Sequence, residues 1–430
     1  MNRLAFQELL NWKNSKDRKP LIIQGARQVG KTWLMKEFGN REFQNIAYIN
    51  FESSGRLKDI FMQDFDTERI TTILEVEIKQ KIDAESTLLI FDEIQEAEKG
   101  LTALKYFCEK APQYYIVAAG SLLGISLQKN TSFPVGKVDF MRLFPLSFME
   151  FLENLGEQQL TEQLKLKNWD LLNIFHDKLV EYLRLYYFIG GMPEVVANYL
   201  NNRDLKLTRN IQKKIILGYE NDFAKYAPNE IVPKIRLVWN ALISQLAKEN
   251  RKFVYGQIKK GARAKDFEMA INWLVDAGLI LKVNRVEKPI LPLNAYADFD
   301  AFKLFLLDIG LLNAVANLDQ TILLEKNTIL TEFKGALTEQ FVCQQLKITE
   351  ELYYWVAENA NAEVDFLVQY QNQIIPIEVK AEENLKAKSL RVFVDKYSSK
   401  TAIRTSMSKY RQQDWLTNIP LYGISFFEPK

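Results

Sequence analysis

The sequence contains very few of the residues that build disulfide frameworks or histidine-based sites. Its 430 residues include two cysteines, Cys108 and Cys343, and a single histidine, His176. Both cysteines lie within apolar helical patterns, so a disulfide framework is excluded. One histidine also argues against a Ser-His-Asp triad and against a histidine-rich zinc site. The chemistry of this chain must therefore depend on other residue types.

A charge excess and long apolar runs are also missing. Lys and Arg total 56 against 54 Asp and Glu, so any binding of nucleic acid must come from local basic patches. The N-terminal segment lacks the apolar core of a signal peptide. No weakly charged run reaches the ~18 residues that a membrane helix needs. We therefore expect a cytoplasmic protein without membrane contact. Because 430 residues are too many to fold around a single hydrophobic core, we also expect two to four domains.

The stretch "PLIIQGARQVGKT" combines a short apolar run with the pattern G-x-x-x-x-G-K-[ST]. In this pattern glycines let successive backbone N–H groups point at phosphate oxygens, and the following helix directs its positive end at them. Lys31 would contact the β- and γ-phosphates and Thr32 would bind Mg²⁺. We predict an ATP-binding loop formed by Gly25, Ala26, Arg27, Gln28, Val29, Gly30, Lys31 and Thr32.

A second acidic motif supports this interpretation. "TLLIFDEIQ" reads as a buried strand that ends in Asp92, a predicted Mg²⁺ ligand, and Glu93, a predicted catalytic residue that orients the attacking water. Ser121 ends a further apolar run and is positioned to sense the γ-phosphate. The alternation of strands and helices predicts an α/β fold with a parallel, doubly wound sheet. We therefore expect an ATPase, with Arg142 as either an arginine finger or an ordinary surface arginine.

Several further stretches occur in a characteristic order: "GKVDFMRLFPLSFMEFL", "FIGGMPEVV", "YENDFAKY", "AINWLVDAGLI", "FKLFLLDIGLL" and "FKGALTEQFV". Together with the two nucleotide motifs they resemble the prokaryotic AAA-type ATPases that carry a C-terminal domain of unknown function. The resemblance implies an ATP-binding protein and supplies no substrate. It implies a P-loop ATPase domain over residues 1–150 and a helical lid over residues 151–230.

Residues 231–292 show the pattern helix, short helix, helix and two strands, with both wing strands expected in "GLILKVNRVEKPILPL". This pattern predicts a winged-helix domain over residues 231–325. Basic residues near its second and third helices suit contacts to phosphates of DNA or RNA. They are Arg251, Lys252, Lys259, Lys260, Arg263 and Lys265. However, Asp266, Glu268 and Asp276 lie on the helix that would face the nucleic acid. A nucleic-acid-binding module and an adaptor between domains therefore both remain open.

The C-terminal segment, residues 326–430, carries acids on a helix and on a hairpin. The order of Glu339, Asp365, Glu378 and Lys380 resembles the E…D…ExK pattern of the α/β restriction-endonuclease-like fold. The resemblance implies that Glu339, Asp365 and Glu378 bind Mg²⁺ or Mn²⁺. Glu378 and Lys380 would then be catalytic, with Lys380 activating the attacking water. The plain alternative is a set of exposed charge pairs across strands.

Two functional hypotheses follow from these motifs. In the first, an ATPase uses its nucleotide state to control a winged helix and a nuclease-like domain that act on or bind DNA or RNA. In the second, a nucleotide-switched regulatory protein has an inactive nuclease-like domain and engages protein partners or further copies of itself. Both hypotheses require ATP and Mg²⁺, and neither requires a membrane.

Overall fold

The computed structural model describes residues 1–121, 134–247, 252–319, 331–358, 362–381 and 387–428. The chain forms two compact units, one of residues 1–145 with 276–278 and the other of residues 146–275 with 279–430. The predicted boundary at residue 150 lies close to this division, whereas the one at residue 325 lies outside the described residues. In the part of the chain that the structure describes, no helix is long and apolar enough to cross a membrane.

The N-terminal unit is built on a parallel sheet with the strand order β2-β3-β4-β1-β5. This confirms the predicted parallel α/β fold. Its elements are α1 (Ala5–Lys13), β1 (Leu21–Gln24), α2 (Lys31–Glu42), β2 (Asn45–Asn50), α3 (Thr67–Ile78), β3 (Thr87–Asp92), α4 (Gly100–Lys110), β4 (Tyr115–Ala119) and β5 (Asp139–Arg142). Because the strands run parallel, the carboxyl ends of β1 and β3 open at the same edge of the sheet.

The central strands of this sheet are buried because they are apolar on both faces. Every residue of β3 is buried, as expected for a parallel strand that has helices on both sides. Phe51, Phe61, Phe91 and Phe107 form an aromatic core against this sheet, with neighbouring ring centres 5.7 to 6.4 Å apart. This core fixes the carboxyl end of β3, where the predicted acidic motif lies.

The second unit begins with helices, as predicted for the lid segment. They are α5 (Phe148–Leu155), α6 (Gln158–Lys165), α7 (Trp169–Ile174), α8 (His176–Ile189), α9 (Pro193–Asn202), α10 (Leu205–Tyr226) and α11 (Val232–Ala247). After them come α12 (Ala264–Asp276), α13 (Ile309–Val315), α14 (Thr331–Leu346) and α15 (Lys388–Tyr397). The role of residues 151–230 as a lid stays a prediction.

The "GGMP" turn between α8 and α9 has a packing role. Gly190 has a φ of +74°, and a Cβ there would lie 2.2 Å from Asp308 Oδ1. A Cβ at Gly191 would lie 2.0 Å from the Leu146 carbonyl oxygen. The Gly191 N–H donates to Asp308 Oδ2 at 2.6 Å. Only glycine fits this close approach, so the motif joins the turn to the start of α13.

The same unit contains an eight-stranded mixed sheet with the order β12-β13-β11-β10-β9-β8-β6-β7. Its strands are β6 (Ile280–Val286), β7 (Ala297–Leu306), β8 (Leu352–Val356), β9 (Glu363–Tyr370), β10 (Gln373–Val379), β11 (Ile403–Ser406), β12 (Arg411–Gln412) and β13 (Thr417–Pro420). The predicted C-terminal hairpin is present as antiparallel β9 and β10. Its turn contains Gln371, whose φ of 51° is left-handed.

The predicted wing belongs to this larger sheet. α11, a 3-10 turn at Tyr255–Gln257, α12 and β6 follow in the predicted order. The second strand lies later than predicted, because Pro289 and Pro292 have no N–H with which to extend a ladder, and β7 begins at Ala297. β6 pairs antiparallel with β7 and also parallel with β8. The wing strands and the C-terminal strands therefore share one sheet.

Buried glutamines fix α14 against neighbouring elements. The Gln340 side chain accepts from the Leu306 N–H at 2.9 Å and donates to the Leu306 carbonyl at 2.7 Å. Gln344 accepts from the Ile309 N–H at 2.9 Å. Paired side-chain bonds of this kind fix the helix in register with β7 and α13, because breaking one leaves a buried polar group unsatisfied. Glu339 on the same helix is thereby placed beside β7.

Candidate nucleotide site and C-terminal acidic pocket

The predicted phosphate loop joins β1 to α2. Gly25 has a φ of +152°, and a Cβ there would lie 2.3 Å from the Leu143 carbonyl oxygen. Gly30 has a φ of 92° and precedes the first residue of α2. Between them, Gln28 also has a positive φ, at 65°, and the side chains of Ala26 and Val29 are buried. The loop therefore has the curled backbone that a phosphate-binding turn requires.

Lys31 is folded back into this loop. Its Nζ donates to the carbonyls of Gly25 and Ala26, at 2.8 and 2.7 Å. Burial lowers the pKa of Lys31 to about 8, although Glu93 and Asp92 oppose this shift. The amine is therefore poorly solvated and close to titration, and an anionic phosphate beside it would favour its charged form.

Asp92 brings the loop and the acidic motif together. Its Oδ2 accepts from the Thr32 hydroxyl at 2.8 Å and from the Tyr48 hydroxyl at 2.9 Å. Asp92 is only 3% exposed. A hydroxyl and a carboxylate oxygen in contact are the hard oxygen ligands that Mg²⁺ takes, so these residues fit that ion. Tyr48 was not predicted, because its strand meets β3 only in the folded sheet.

Glu93 is engaged by its neighbours. Its carboxylate accepts from the Ser121 N–H at 3.1 Å, from the Ser121 hydroxyl and from Gln95 Nε2 at 2.5 Å. Burial raises the pKa of Glu93, but the hydrogen bonds from Ser121 and Gln95 outweigh that effect, so its pKa is lowered. The structure thus places Ser121 against Glu93. Gln95 is a further residue at this site that the motif alone did not reveal.

Two arginines near this site differ in their contacts. Arg3, 8% exposed, donates to the carbonyls of Val29 at 3.0 Å and Phe144 at 2.7 Å. It therefore braces the phosphate loop, and no sequence pattern indicated it. Arg142, at the end of β5, has its guanidinium 5.2 Å from the centre of the Phe144 ring. Its role as an arginine finger stays a prediction.

The C-terminal residues predicted to act together line one cavity of about 430 Å³. Glu339 comes from α14, Asp365 from β9 and Glu378 from β10, with Lys380 directly after that strand. Asp365 Oδ2 accepts from the Val379 N–H across the hairpin at 2.7 Å. Lys380 Nζ lies 2.6 Å from Glu378 Oε1. The hairpin therefore brings Asp365 and Glu378 to the same strand end.

Two carboxylates in this pocket, Asp365 and Glu378, have raised pKa values. Burial, followed by the charges of Glu339 and Glu378, raises the pKa of Asp365 well above its usual range. Burial also raises the pKa of Glu378, although Lys380 opposes the shift. Glu378 is 5% exposed, and its Oε2 has no hydrogen-bond partner within the described residues. The pocket therefore concentrates negative charge in a poorly solvated space.

A lysine that was not predicted lies among these acids. Lys303 on β7 has its Nζ 2.7 Å from Glu363 Oε1 and 3.2 Å from Glu339 Oε2. Across the ranges that the structure describes, no group of three or more His, Cys, Asp and Glu side chains is arranged to hold a metal ion. The predicted ligands Glu339, Asp365 and Glu378 share the pocket with this ammonium. A charged residue within the apolar run "AFKLFLL" was the available signal.

The predicted basic surface lies around the start of α12. Lys259, Lys260, Arg263 and Lys265 are at or near the surface there, and Arg251 lies outside the described residues. Lys252 is exposed as well, and it lines the acidic cavity. The Asp266 carboxylate accepts a hydrogen bond from the Arg263 N–H at 3.0 Å. This acid therefore forms a local contact at the start of α12.

Comparisons with known families divide the chain into three matched segments. Residues 17–152 match the family described as an AAA domain. Residues 180–322 and 334–423 match two domains of unknown function, DUF8612 and DUF4143. The N-terminal segment is therefore similar to AAA-type ATPases, and no curated protein matches the chain.

A search of solved structures matches the chain to two archaeal proteins, among others. Orc1 of Aeropyrum pernix, in complex with DNA, is 12% identical with a TM-score of 0.28, and the match covers 73% of this chain and 90% of that one. Cdc6p of Pyrobaculum aerophilum is 10% identical with a TM-score of 0.25, covering 65% and 86%. Because both TM-scores are low, these structures do not inform the function of this chain.

Proposed function

We propose that the N-terminal unit binds ATP with Mg²⁺ and hydrolyses it. The observation that carries this proposal is the convergence of Lys31, Thr32, Asp92 and Glu93 at one edge of a parallel sheet. The similarity of residues 17–152 to an AAA domain supports it.

The loop and Lys31 have the groups that bind phosphates. The backbone N–H groups of residues 25–32 and the start of α2 would contact phosphate oxygens. Lys31 would exchange the carbonyls of Gly25 and Ala26 for the β- and γ-phosphates. Thr32 and Asp92 would hold Mg²⁺, which when bound neutralises charge on these phosphates.

Glu93 is the residue proposed to position the attacking water. A lowered pKa keeps its carboxylate ionised, and an ionised carboxylate can accept a hydrogen bond from water. Ser121 and Gln95 occupy its oxygens in this structure. Together they donate three hydrogen bonds to a carboxylate that can accept about four, so Glu93 can still accept one from a water. Ser121 and Gln95 set the orientation of this carboxylate, which makes them candidates for coupling turnover to the bound nucleotide.

Calorimetric titration of ATP tests the binding step. Lys31→Ala should weaken ATP binding by roughly 10- to 100-fold, because it removes a charge-assisted contact to two phosphates. Arg41→Ala is the matched control, since Arg41 is a half-exposed cation at the other end of α2, paired with Glu37. Equal affinities of wild type and Lys31→Ala would contradict the assignment of the loop.

For the second unit we propose that the nucleotide state controls a nucleic-acid-binding surface. The observation that favours this is the basic group at the start of α12, where Lys259, Lys260 and Arg263 lie close in sequence. A nuclease-like C-terminal module that cuts DNA or RNA is one version of this proposal. The other version is a regulatory ATPase whose C-terminal module only binds, and the ion pairs of Lys303 favour it.

A further inference from the structure

We propose that Lys303 is a built-in cation that takes the place of a divalent metal ion in the C-terminal pocket. The wild-type pocket would then bind neither Mg²⁺ nor Mn²⁺. Removing this one ammonium would create a divalent-cation site on Asp365 with Glu339 and Glu363. The inference concerns the second unit alone and does not depend on ATP binding by the first.

The contacts of Lys303 carry the proposal. Its Nζ pairs with Glu363 at 2.7 Å and with Glu339 at 3.2 Å. It also lies 5.3 Å from the centre of the Tyr354 ring. Lys303 is 8% exposed. Oxygens from a strand and a helix, with an aromatic face nearby, thus surround a single cation.

The backbone keeps this ammonium in place. Lys303 is in β7, where it lies opposite Val283 of β6 in an antiparallel pairing. Gln340 bonds both backbone groups of Leu306 on the same strand and thereby fixes α14 beside it. Glu339 is one residue before Gln340 on that helix. The distance between Lys303 and Glu339 is therefore set by buried backbone contacts.

The acids around Lys303 favour its charged form. Burial by itself would lower the pKa of Lys303, but the charges of Glu339, Glu363 and Asp365 outweigh burial and raise it. The ammonium is thus a counter-ion of Glu339 and Glu363. Lys380 pairs with Glu378 in the same cavity.

A divalent ion would need the oxygens that Lys303 uses. Mg²⁺ and Mn²⁺ take several oxygen ligands at short range. An ion placed among Glu339, Glu363 and Asp365 would lie within a few ångströms of the ammonium, and like charges at that distance repel strongly in a poorly solvated site. Without the ammonium, the carboxylates would carry uncompensated charge. Glu378 Oε2, buried and without a hydrogen-bond partner among the described residues, is a further acceptor in the same cavity.

The test is a Mn²⁺ titration of the full chain without nucleotide. Binding is measured by calorimetry and by the decrease in the electron paramagnetic resonance signal of free Mn²⁺. Lys303→Met removes the charge and keeps an unbranched side chain of similar length. Lys303→Arg is the matched control, because it keeps a cation. Asp365→Asn, alone and combined with Lys303→Met, assigns any binding to this pocket. Circular dichroism and thermal melting establish that each variant is folded.

We expect no pocket binding by wild type or by Lys303→Arg at millimolar Mn²⁺. Lys303→Met should bind one equivalent of Mn²⁺ at least about tenfold more tightly than wild type does. Adding Asp365→Asn to Lys303→Met should remove that binding. Folded Lys303→Met that gains no Mn²⁺ binding would overturn the proposal and leave Lys303 as an ordinary buried ion pair. If Lys303→Met does not fold, Lys303→Gln replaces it. Wild-type binding that Asp365→Asn abolishes would overturn the proposal without any lysine variant.

Discussion

Thr32, the second residue of α2, donates its hydroxyl hydrogen to Asp92 at the end of β3, over 2.8 Å. The two residues are 60 positions apart in the chain, and they meet because β1 and β3 present their carboxyl ends at one edge of the sheet. Their contact joins the phosphate loop to the acidic motif. It also indicates which oxygens would hold Mg²⁺.

The first prediction concerns this contact. Asp92→Asn should leave binding of metal-free ATP nearly unchanged and remove most of the affinity that Mg²⁺ adds, because an amide oxygen is a weaker ligand than a carboxylate. Titrations of ATP with and without Mg²⁺ measure the difference. Tyr48→Phe is the control, since it removes the other hydroxyl that bonds Asp92 and leaves the carboxylate in place. An unchanged Mg²⁺ effect in Asp92→Asn would argue against this residue as a ligand.

The second prediction uses the pKa of Lys31. In the nucleotide-free protein burial lowers this pKa to about 8, and phosphates at the site would raise it, so binding takes up a proton near and above that pH. ATP affinity should be nearly constant below about pH 8 and fall by about tenfold per pH unit above it. Calorimetry in buffers of different ionisation enthalpy measures the proton uptake directly. Affinity that is flat through this range would contradict a contact between Lys31 and phosphate.

The third prediction separates binding from turnover. Glu93→Gln should bind ATP as wild type does and lose roughly 100- to 10,000-fold in hydrolysis rate, as expected for loss of a positioned base. Phosphate release under saturating ATP gives the rate. Glu96→Gln on the following 3-10 turn is a nearby control. Glu93→Gln that turns over at the wild-type rate would remove Glu93 from the mechanism.

The fourth prediction concerns the basic surface at the start of α12. Replacing Lys259, Lys260 and Arg263 with Ala should weaken duplex DNA binding and reduce the log–log salt slope by about 0.9 for each phosphate that the variant no longer binds. Fluorescence anisotropy over a range of salt concentrations gives the slope. A control with Lys206, Lys213 and Lys214 on α10 replaced by Ala removes the same charge from another surface. Identical slopes in both triple variants would favour the adaptor interpretation.

The fifth prediction concerns Asp308, which bonds the "GGMP" turn. Burial raises its pKa from 3.8 to about 6. A folded-state pKa above the ordinary value means that its stabilising contribution is full below about pH 4 and is lost as pH rises through about 6.

Asp308→Asn removes this titration, so the melting-temperature advantage of wild type over the variant should be larger in mild acid than at neutral pH. Differential scanning fluorimetry over that range measures it. Asp395→Asn, which changes a carboxylate in an exposed pair with Arg391, should show no such trend. A difference that does not vary with pH would exclude Asp308 as the titrating group.

The features that the sequence predicted well are those that depend on short stretches of neighbouring residues. The phosphate loop is an eight-residue pattern whose glycines, at positions 25 and 30, are required by the backbone at those positions. The hairpin of β9 and β10 follows from two apolar runs around Gln371 and its neighbour. Both features depend on interactions within a few residues, and such interactions are readable from spacing and residue type.

Other features required the tertiary structure. Residues distant in sequence meet only through strand pairing, so neither Lys303 in the acidic pocket nor Tyr48 beside Asp92 is visible in a motif. The wing strands were predicted as a separate element, yet the parallel pairing of β6 with β8 makes them part of the C-terminal sheet. The sequence by itself determined which residues are candidates for phosphate binding and acid–base chemistry. Only the fold decided their counter-ions, because electrostatic partners are set by distance in space and not by distance along the chain.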